Sequence, residues 1–338
     1  MELIVNRSIE LIQQFSHAKI LVIGDVMLDC YLRCRAIGIA DEAPVPLLEI
    51  AEQSNTLGGA ANVARNLARL GVPTQLVGVV GNDIYSTEVT SLLEDSGVKF
   101  CSLPTSRPTT RKTRVLAGEH YYLRLDEEQS LGLSPTENNS LELLIKNQMQ
   151  KVNLVVISDY DKGLVSSALA QFIERLAHQL NLRVLADLKP PNALHWKDLD
   201  LITPNLTEAR LLHSLVQPCN DLYREDAKIA RSLSEILRCD VVLKMDRQGM
   251  IIATTSGNIS QLEAICHSPR DTTGAGDTVL STLAATLAQG ASLEEAAWLA
   301  NVAASISVSQ KGTYAVSAKE LVEAVTRSTE LSQPIKLT

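Results

Sequence analysis

The chain has 338 residues, 45% apolar and 21% charged, a globular composition long enough for one large or two modest domains around a sizeable core. Its net charge of −8, with no run of Lys and Arg, argues against a nucleic-acid or anionic-membrane surface and favours a small-molecule partner. Six cysteines with no CxxC pair, and no clustering with the six histidines, argue against a zinc site and point to reduced, mostly buried thiols.

Taken in chain order, the N-terminal stretch MELIVNRSIELIQQFSHAKI carries Glu2 and Glu10 where a signal peptide has basic residues. No apolar run reaches the length of a membrane span, so a soluble, cytoplasmic protein is expected. Short apolar runs then alternate with longer segments whose apolar residues recur at three- and four-residue spacing. The runs are KILVIGD, TQLVGVV, NLVVISD, LRVLAD, DLITPN, DVVLKM and GMIIATT. Helices are predicted over 60–70, 86–96, 135–150, 166–180, 222–237, 275–289, 293–309 and 317–327. Runs apolar on both faces and joined by helices predict an α/β fold with a doubly wound, mainly parallel sheet covered by helices on both faces. Segments 30–56 and 105–126 break the rhythm and read as extended, which predicts a small antiparallel β-sheet folded over the sheet edge as a lid. The second of them carries Arg107, Arg111, Lys112, Arg114 and Arg124, charges that would also serve simply to block edge-to-edge aggregation.

Four apolar runs close on a polar residue: Asp25, Asp159, Asp187 and Asn205. Such residues are common in turns and at helix N-caps. In an open parallel sheet, however, the carboxyl ends of the strands line the crevice that binds ligands. The stretch LGGAANVARNLARLG places Gly58 and Gly59 at a helix start and Asn62 one turn in, facing that crevice. DTTGAGDT is the stronger signal. A Gly-x-Gly loop running into a helix presents unpaired amides and the positive dipole end, an anion site. If a phosphoryl group rests on the Gly274–Ala275–Gly276 amides, Asp277 can take the proton of an incoming hydroxyl. Neither GxxxxGK[ST] nor GxGxxG occurs, which disfavours the common nucleotide folds and a nicotinamide dehydrogenase.

On these motifs the chain resembles the ribokinase-like (PfkB) sugar kinases over nearly its whole length. Within them, GDVMLDCY, EAPVP, GGAANVA, RLD, SDYDKG, TPNLTEA and TGAGDTV occur in the order found in the D-glycero-β-D-manno-heptose 7-phosphate kinases of lipopolysaccharide core synthesis. The resemblance implies a single kinase domain over 1–338, with ATP and Mg²⁺ as cofactors, room for a monovalent cation, and a sugar phosphate as partner. It implies Asp277 as base for the anomeric hydroxyl and Thr273 with Gly274, Ala275 and Gly276 as the anion hole. Asp25, Asp29, Gly58, Gly59 and Asn62 would meet sugar hydroxyls, the glycine pair also serving as lid hinge. Lys162, Lys189 and Arg124 are candidates for phosphate contacts. Asn205, Leu206, Thr207 and Glu208 would lie at the nucleotide, Glu208 holding Mg²⁺ through water, with Lys244 and Gly249 on the nucleotide-side loop. The exposed lid edge suggests a homodimer through the lid.

The chain departs from the family pattern in DLKPP, which keeps Asp187 and Lys189 but adds two prolines, and in Lys244, where a Thr is usual. Ser305 and the Ser309–Gln310 pair replace further glycine and basic positions. A kinase for another sugar, sugar phosphate or nucleoside is the alternative, and a non-catalytic sensor of such ligands a more distant one. Some related enzymes are fused to a nucleotidyltransferase domain; with no room for one in 338 residues, adenylylation is expected to fall to a separate protein.

Overall fold

A computed structural model describes residues 2–118, 120–217, 225–327 and 335–336. Helix α1 (Glu2–Gln13) leads into β1 (Ile20–Gly24), and a single residue, Asp25, separates β1 from a long hairpin, β2 (Val26–Ile39) and β3 (Pro46–Gly59). The hairpin runs straight into α2 (Ala60–Arg69), followed by β4 (Thr74–Val80), α3 (Ile84–Asp95) and β5 (Lys99–Pro104). A second hairpin, β6 (Thr110–Ala117) and β7 (His120–Glu127), precedes α4 (Pro135–Met149), β8 (Leu154–Ser158), α5 (Ser167–Leu180) and β9 (Arg183–Asp187). Then come α6 (Pro190–Ala193), β10 (Leu201–Ile202), α7 (Leu206–Val216), α8 (Asp226–Leu237), β11 (Asp240–Lys244), β12 (Met250–Ala253) and β13 (Ile259–Leu262). Helices α9 (Ala275–Leu287), α10 (Leu293–Val308) and α11 (Ala318–Arg327) and the short β14 (Ile335–Lys336) complete the chain.

The main sheet runs β14-β13-β12-β11-β10-β9-β8-β1-β4-β5. It is parallel from β11 to β5 and antiparallel from β11 to β14. Successive side chains of β1 point to opposite faces, so Ile20 and Val22 join one apolar layer with α2, α9 and α10, while Leu21 and Ile23 join the other with α4, α5 and α8. That two-sided burial is why these strands read as unbroken apolar runs.

The lid is the separate sheet β3-β2-β6-β7. Each hairpin is antiparallel, and the two meet in a parallel β2–β6 pair. The lid springs from the body at Asp25 and returns to it at Gly58–Gly59, where Val26 pairs with Gly59 and Ala60 N donates to Asp25 O at 2.9 Å. Gly59 sits at φ 58°, and a Cβ there would strike the Asp25 carbonyl, so only glycine makes this return.

The predicted helices and runs all form, with ends within two residues wherever both ends are described except in DLITPN, where the strand stops at Ile202, three residues short of Asn205. The periodicity reading omits α1, β5, α6, α7, β13 and β14, and the predicted start of α8 and Cys219 lie outside the described residues. The two prolines of DLKPP occupy the first turn of α6, where the missing N–H groups cost nothing. Among the described residues, no helix is long and apolar enough to cross a membrane.

Candidate active site

The strand order reverses between β1 and β8, which places a crevice at the carboxyl ends of the parallel strands. Asp25, Asp159, Asp187 and Asn205 all lie along it. Asp25 is 2% exposed, and its Oδ2 accepts the amides of Tyr160 at 2.8 Å and Lys162 at 3.2 Å. Asp159 takes the Asp161 amide on Oδ1 and Asn192 Nδ2 on Oδ2, both at 2.9 Å. These two acids therefore build the SDYDKG loop. Burial, and then the adjacent Asp159 carboxylate, push Asp25 up to about 6.

Across the crevice, Gly274 caps α9 at φ 79°, and a Cβ there would come 2.9 Å from Asn62 Nδ2. Asp277, at the third helical position, is 7% exposed. Asn62 Nδ2 donates to its Oδ2 at 2.6 Å, and the Tyr160 hydroxyl donates to its Oδ1 at 2.9 Å. Burial pushes Asp277 up to about 6; the two donors and Lys244 pull the other way, while Asp187 adds to the rise. Asn62 is fixed in turn by Arg65, which donates to Asn62 Oδ1 and Thr56 Oγ1 at 2.7 Å each and to Thr313 O at 2.9 Å. One guanidinium thus ties lid strand β3, helix α2 and the segment before α11 to the carboxylate.

On the other side of the α9 start lies a cavity of about 450 Å³, lined by Asn205, Lys244, Gly249, Gly276 and Ser305 and walled by apolar groups that include Met250 and Val279. Lys244, which lines it, places Nζ against Asp187 Oδ2, and beside Asn205 the Lys189 Nζ contacts Glu208 Oε1, each at 2.6 Å. Glu208 also closes a capping box with Asn205, its Oε2 accepting the Asn205 amide at 3.0 Å. Burial alone would raise Glu208, but the Asn205 amide and the Lys189 ammonium hold it below the ordinary value. Asp187 stays raised by burial, which Lys244 only partly offsets. A Cβ on Gly276 would lie 3.2 Å from Lys244 Nζ, so the second glycine keeps open the space between the helix start and that ammonium.

The lid contributes Asp29, 5% exposed and paired with Arg114 at 2.7 Å, and Lys112, 5.6 Å from the Tyr160 ring centroid. Gly58 packs against Met27 and Asp29, which leave no room for a Cβ. Arg124 stands opposite Arg114 in the β6–β7 register, and each carries its own acid: Arg124 is bidentate on Asp126 at 2.8 and 2.9 Å. Lys162 pairs with Glu128 at 2.7 Å.

The structure thus gathers Asp277, Gly274, Gly276, Asn62, Lys189, Lys244, Asn205 and Glu208 around one locus. Lys162 and Arg124 are engaged with acids from the lid side. Leu206 packs on the core and Thr207 is exposed, because the first turn of α7 points only its capping residues at the crevice. Thr272 rather than Thr273 lines the cavity, and the Thr273 amide is used by Asp271 at 2.9 Å. Sequence reasoning missed Tyr160 and Arg65. Arg65 carried a signal, since it lies three residues after Asn62 on the same helix face; Tyr160 stood in the quoted SDYDKG stretch without a partner to give it meaning.

Residues 17–320 match the pfkB family carbohydrate kinase model. The chain is 37% identical over 316 residues to the bifunctional protein HldE of Actinobacillus succinogenes, covering 92% of the chain and 64% of that protein. It is 38% identical over 316 residues to HldE of Pseudomonas aeruginosa, covering 93% and 65%. The chain therefore spans just under two thirds of the length of these curated relatives. Phosphofructokinase-2 of Escherichia coli, solved with substrates and products, superposes with a TM-score of 0.75 at 22% identity over 92% of this chain and 99% of that one. Ribokinase of Arabidopsis thaliana, solved with ribose and ATP, gives 0.70 at 19% over 91% and 98%. The fold is thus ribokinase-like, and the chain belongs to the pfkB family of carbohydrate kinases.

Proposed function

We propose that the protein transfers the γ-phosphoryl group of ATP to the anomeric hydroxyl of D-glycero-β-D-manno-heptose 7-phosphate, giving ADP and the 1,7-bisphosphate. The observation that carries this reading is the position of Asp277: a buried carboxylate on the first turn of α9, between the sugar-side cluster and the cavity at Lys244. Raised to about 6, it is ionised at neutral pH yet basic enough to take a hydroxyl proton. The Ala275 amide already donates to Thr272 O at 3.2 Å, so the Gly274 and Gly276 amides at the helix start are the donors suited to the transferring phosphoryl oxygens. Lys244, standing beside Gly276, supplies a fixed cation where the family has a hydroxyl.

ATP fits the cavity, whose apolar wall suits a purine and whose lining carries the Lys244 ammonium. The donor set also fits Mg²⁺, because Glu208 and Asp187 are oxygen ligands of the kind a hard cation shares with phosphates and water. Bound there, the ion would neutralise phosphate charge. The heptose 7-phosphate assignment is supported by the motif order in the sequence and by the 35–38% identity to proteins named HldE. Lid cations Lys112, Arg114 and Arg124 suit an already phosphorylated acceptor.

A homodimer through the lid is part of the proposal. The lid exposes Ile37, Ile39, Leu47, Ile50 and Leu125, with Ile39 72% exposed, an apolar set that a two-fold partner would cover. A cytoplasmic location is supported by the need for ATP and by the free thiols of the five described cysteines.

The test is a coupled ADP-release screen over D-glycero-β-D-manno-heptose 7-phosphate, fructose 6-phosphate, ribose, fructose and adenosine. The heptose phosphate is expected to give the highest kcat/KM. Activity confined to an unphosphorylated sugar would overturn both the substrate and the phosphate role of the lid cations.

A further inference from the structure

Both oxygens of Asp277 are occupied from within the chain. Asn62 is buried and fixed by Arg65, so Oδ2 is permanently taken. Oδ1 is held by the Tyr160 hydroxyl, which burial first and then the Asp277 carboxylate keep protonated well beyond neutral pH, so that it can only donate. Any acceptor hydroxyl that gives its proton to this carboxylate must come to Oδ1, where Tyr160 already stands. The backbone beneath Tyr160 is rigid, pinned by Asp25 and Asp159, so the side chain is the part able to yield. Its ring lies under two ammonium groups, Lys112 of the lid at 5.6 Å and Lys189 of the β9–α6 turn at 5.4 Å from its centroid. The tyrosine therefore touches the base, the lid and the nucleotide side at once.

We propose that Tyr160 gates the base: with no acceptor bound its hydroxyl occupies Asp277 Oδ1 and keeps water from being activated there, and the acceptor hydroxyl displaces it. The inference rests on the reading of Asp277 as base. It accounts for how a kinase with its nucleotide in place avoids spending ATP on water, since the position a water would need is filled until a hydroxyl anchored by the rest of a sugar competes for it. Tyr160 is then a positioning residue that acts through Asp277.

The test is Tyr160→Phe, which keeps the ring under the two lysines and removes only the hydroxyl. The charged groups facing this pair are Asp187 of β9, Lys244 of β11, Lys189, Arg65 of α2, Asp29 of β2 and Lys112 of β6, and all are retained. With MgATP alone, ADP release is expected to rise about tenfold or more, the occupancy factor of one hydrogen bond to an ionised group. With MgATP and the heptose 7-phosphate, or whichever acceptor of the panel is turned over, the acid limb of kcat/KM should move up by about one pH unit, because that limb reports the free enzyme. The acid limb of kcat reports the bound complex, in which the tyrosine has already left, and should not move. Unchanged ATP hydrolysis, or a kcat limb that moves with the kcat/KM limb, overturns the gate. A crystal structure of the wild-type protein with the acceptor gives a second reading: the acceptor hydroxyl is expected in place of the Tyr160 hydroxyl at Oδ1, and an undisplaced tyrosine refutes displacement. Asp277→Asn, measured alongside, separates the two claims. Wild-type turnover in that variant defeats the base assignment, whereas an inactive Asp277→Asn beside a Tyr160→Phe that behaves as wild type defeats the gate alone.

Discussion

Asn62→Ala tests whether the base is tuned by its fixed neighbour. Asn62 is 1% exposed and donates through Nδ2 to Asp277 Oδ2 at 2.6 Å. A hydrogen bond to an ionised group contributes about 1.5–3 kcal/mol, and it favours the carboxylate over the acid. At 1.36 kcal/mol per pKa unit its removal should lift Asp277 by about 1–2 pH units from its already raised position. Asp277 accepts a proton only when ionised, so the acid limbs of kcat and of kcat/KM should both move toward or past neutrality. The loss of activity should then be severe at pH 6.5 and mostly recovered by pH 9. Arg65 keeps Thr56 and the Thr313 carbonyl, so the lid and α2 remain tied and the variant should fold. The assay is steady-state ADP release from about pH 5.5 to 9.5, with thermal unfolding as the check on folding. A folded Asn62→Ala protein with a wild-type acid limb would refute the tuning of Asp277 by Asn62.

Gly274→Ala should cost about 1–2 kcal/mol of stability through the left-handed φ alone, and its Cβ would press on Asn62 Nδ2 at 2.9 Å, so turnover should fall further than the melting temperature suggests. Lys244→Met removes the cation beside Gly276 and should lower kcat by about 10²–10³-fold if it stabilises the transferring group; a change confined to the KM for ATP would show that it serves binding only. Asp277→Asn should also change the pH dependence of stability. Folded Asp277 binds its proton more tightly than the unfolded chain, so its contribution is present below about pH 4 and lost as pH rises through about 6, on the order of 3 kcal/mol in all. The variant should therefore melt above wild type at pH 8, with the gap closing toward pH 4, as followed by calorimetry.

Much of this was legible in the chain because it is written in local signals. The apolar runs are buried on both faces, so their period showed through, and the Gly-Ala-Gly-Asp turn declared itself because glycine at Gly274 and Gly276 answers to a backbone angle and a close approach. What stayed hidden depends on partners far apart in sequence. Lys244 and Asp187 are 57 positions apart, and Tyr160 and Asp277 are 117 apart. Nothing local marks either pair, and an aromatic in a polar loop reads as ordinary surface. Strand β10 shows the limit from the other side: only two residues long, it is cut off at Pro204, which cannot donate to a sheet. Helix α7 was missed because its opening Asn205–Glu208 box was absorbed into a ligand motif, although the same two residues also form an N-cap.

The central claim, that Asp277 is the base of a sugar-kinase site, is tested most directly by single-turnover ADP formation in wild type and Asp277→Asn with saturating MgATP and the heptose 7-phosphate. Turnover by the variant is predicted to fall by about 10²–10⁴-fold or more while ATP affinity stays close to wild type. Turnover near the wild-type rate, with ATP bound equally well, would contradict the account.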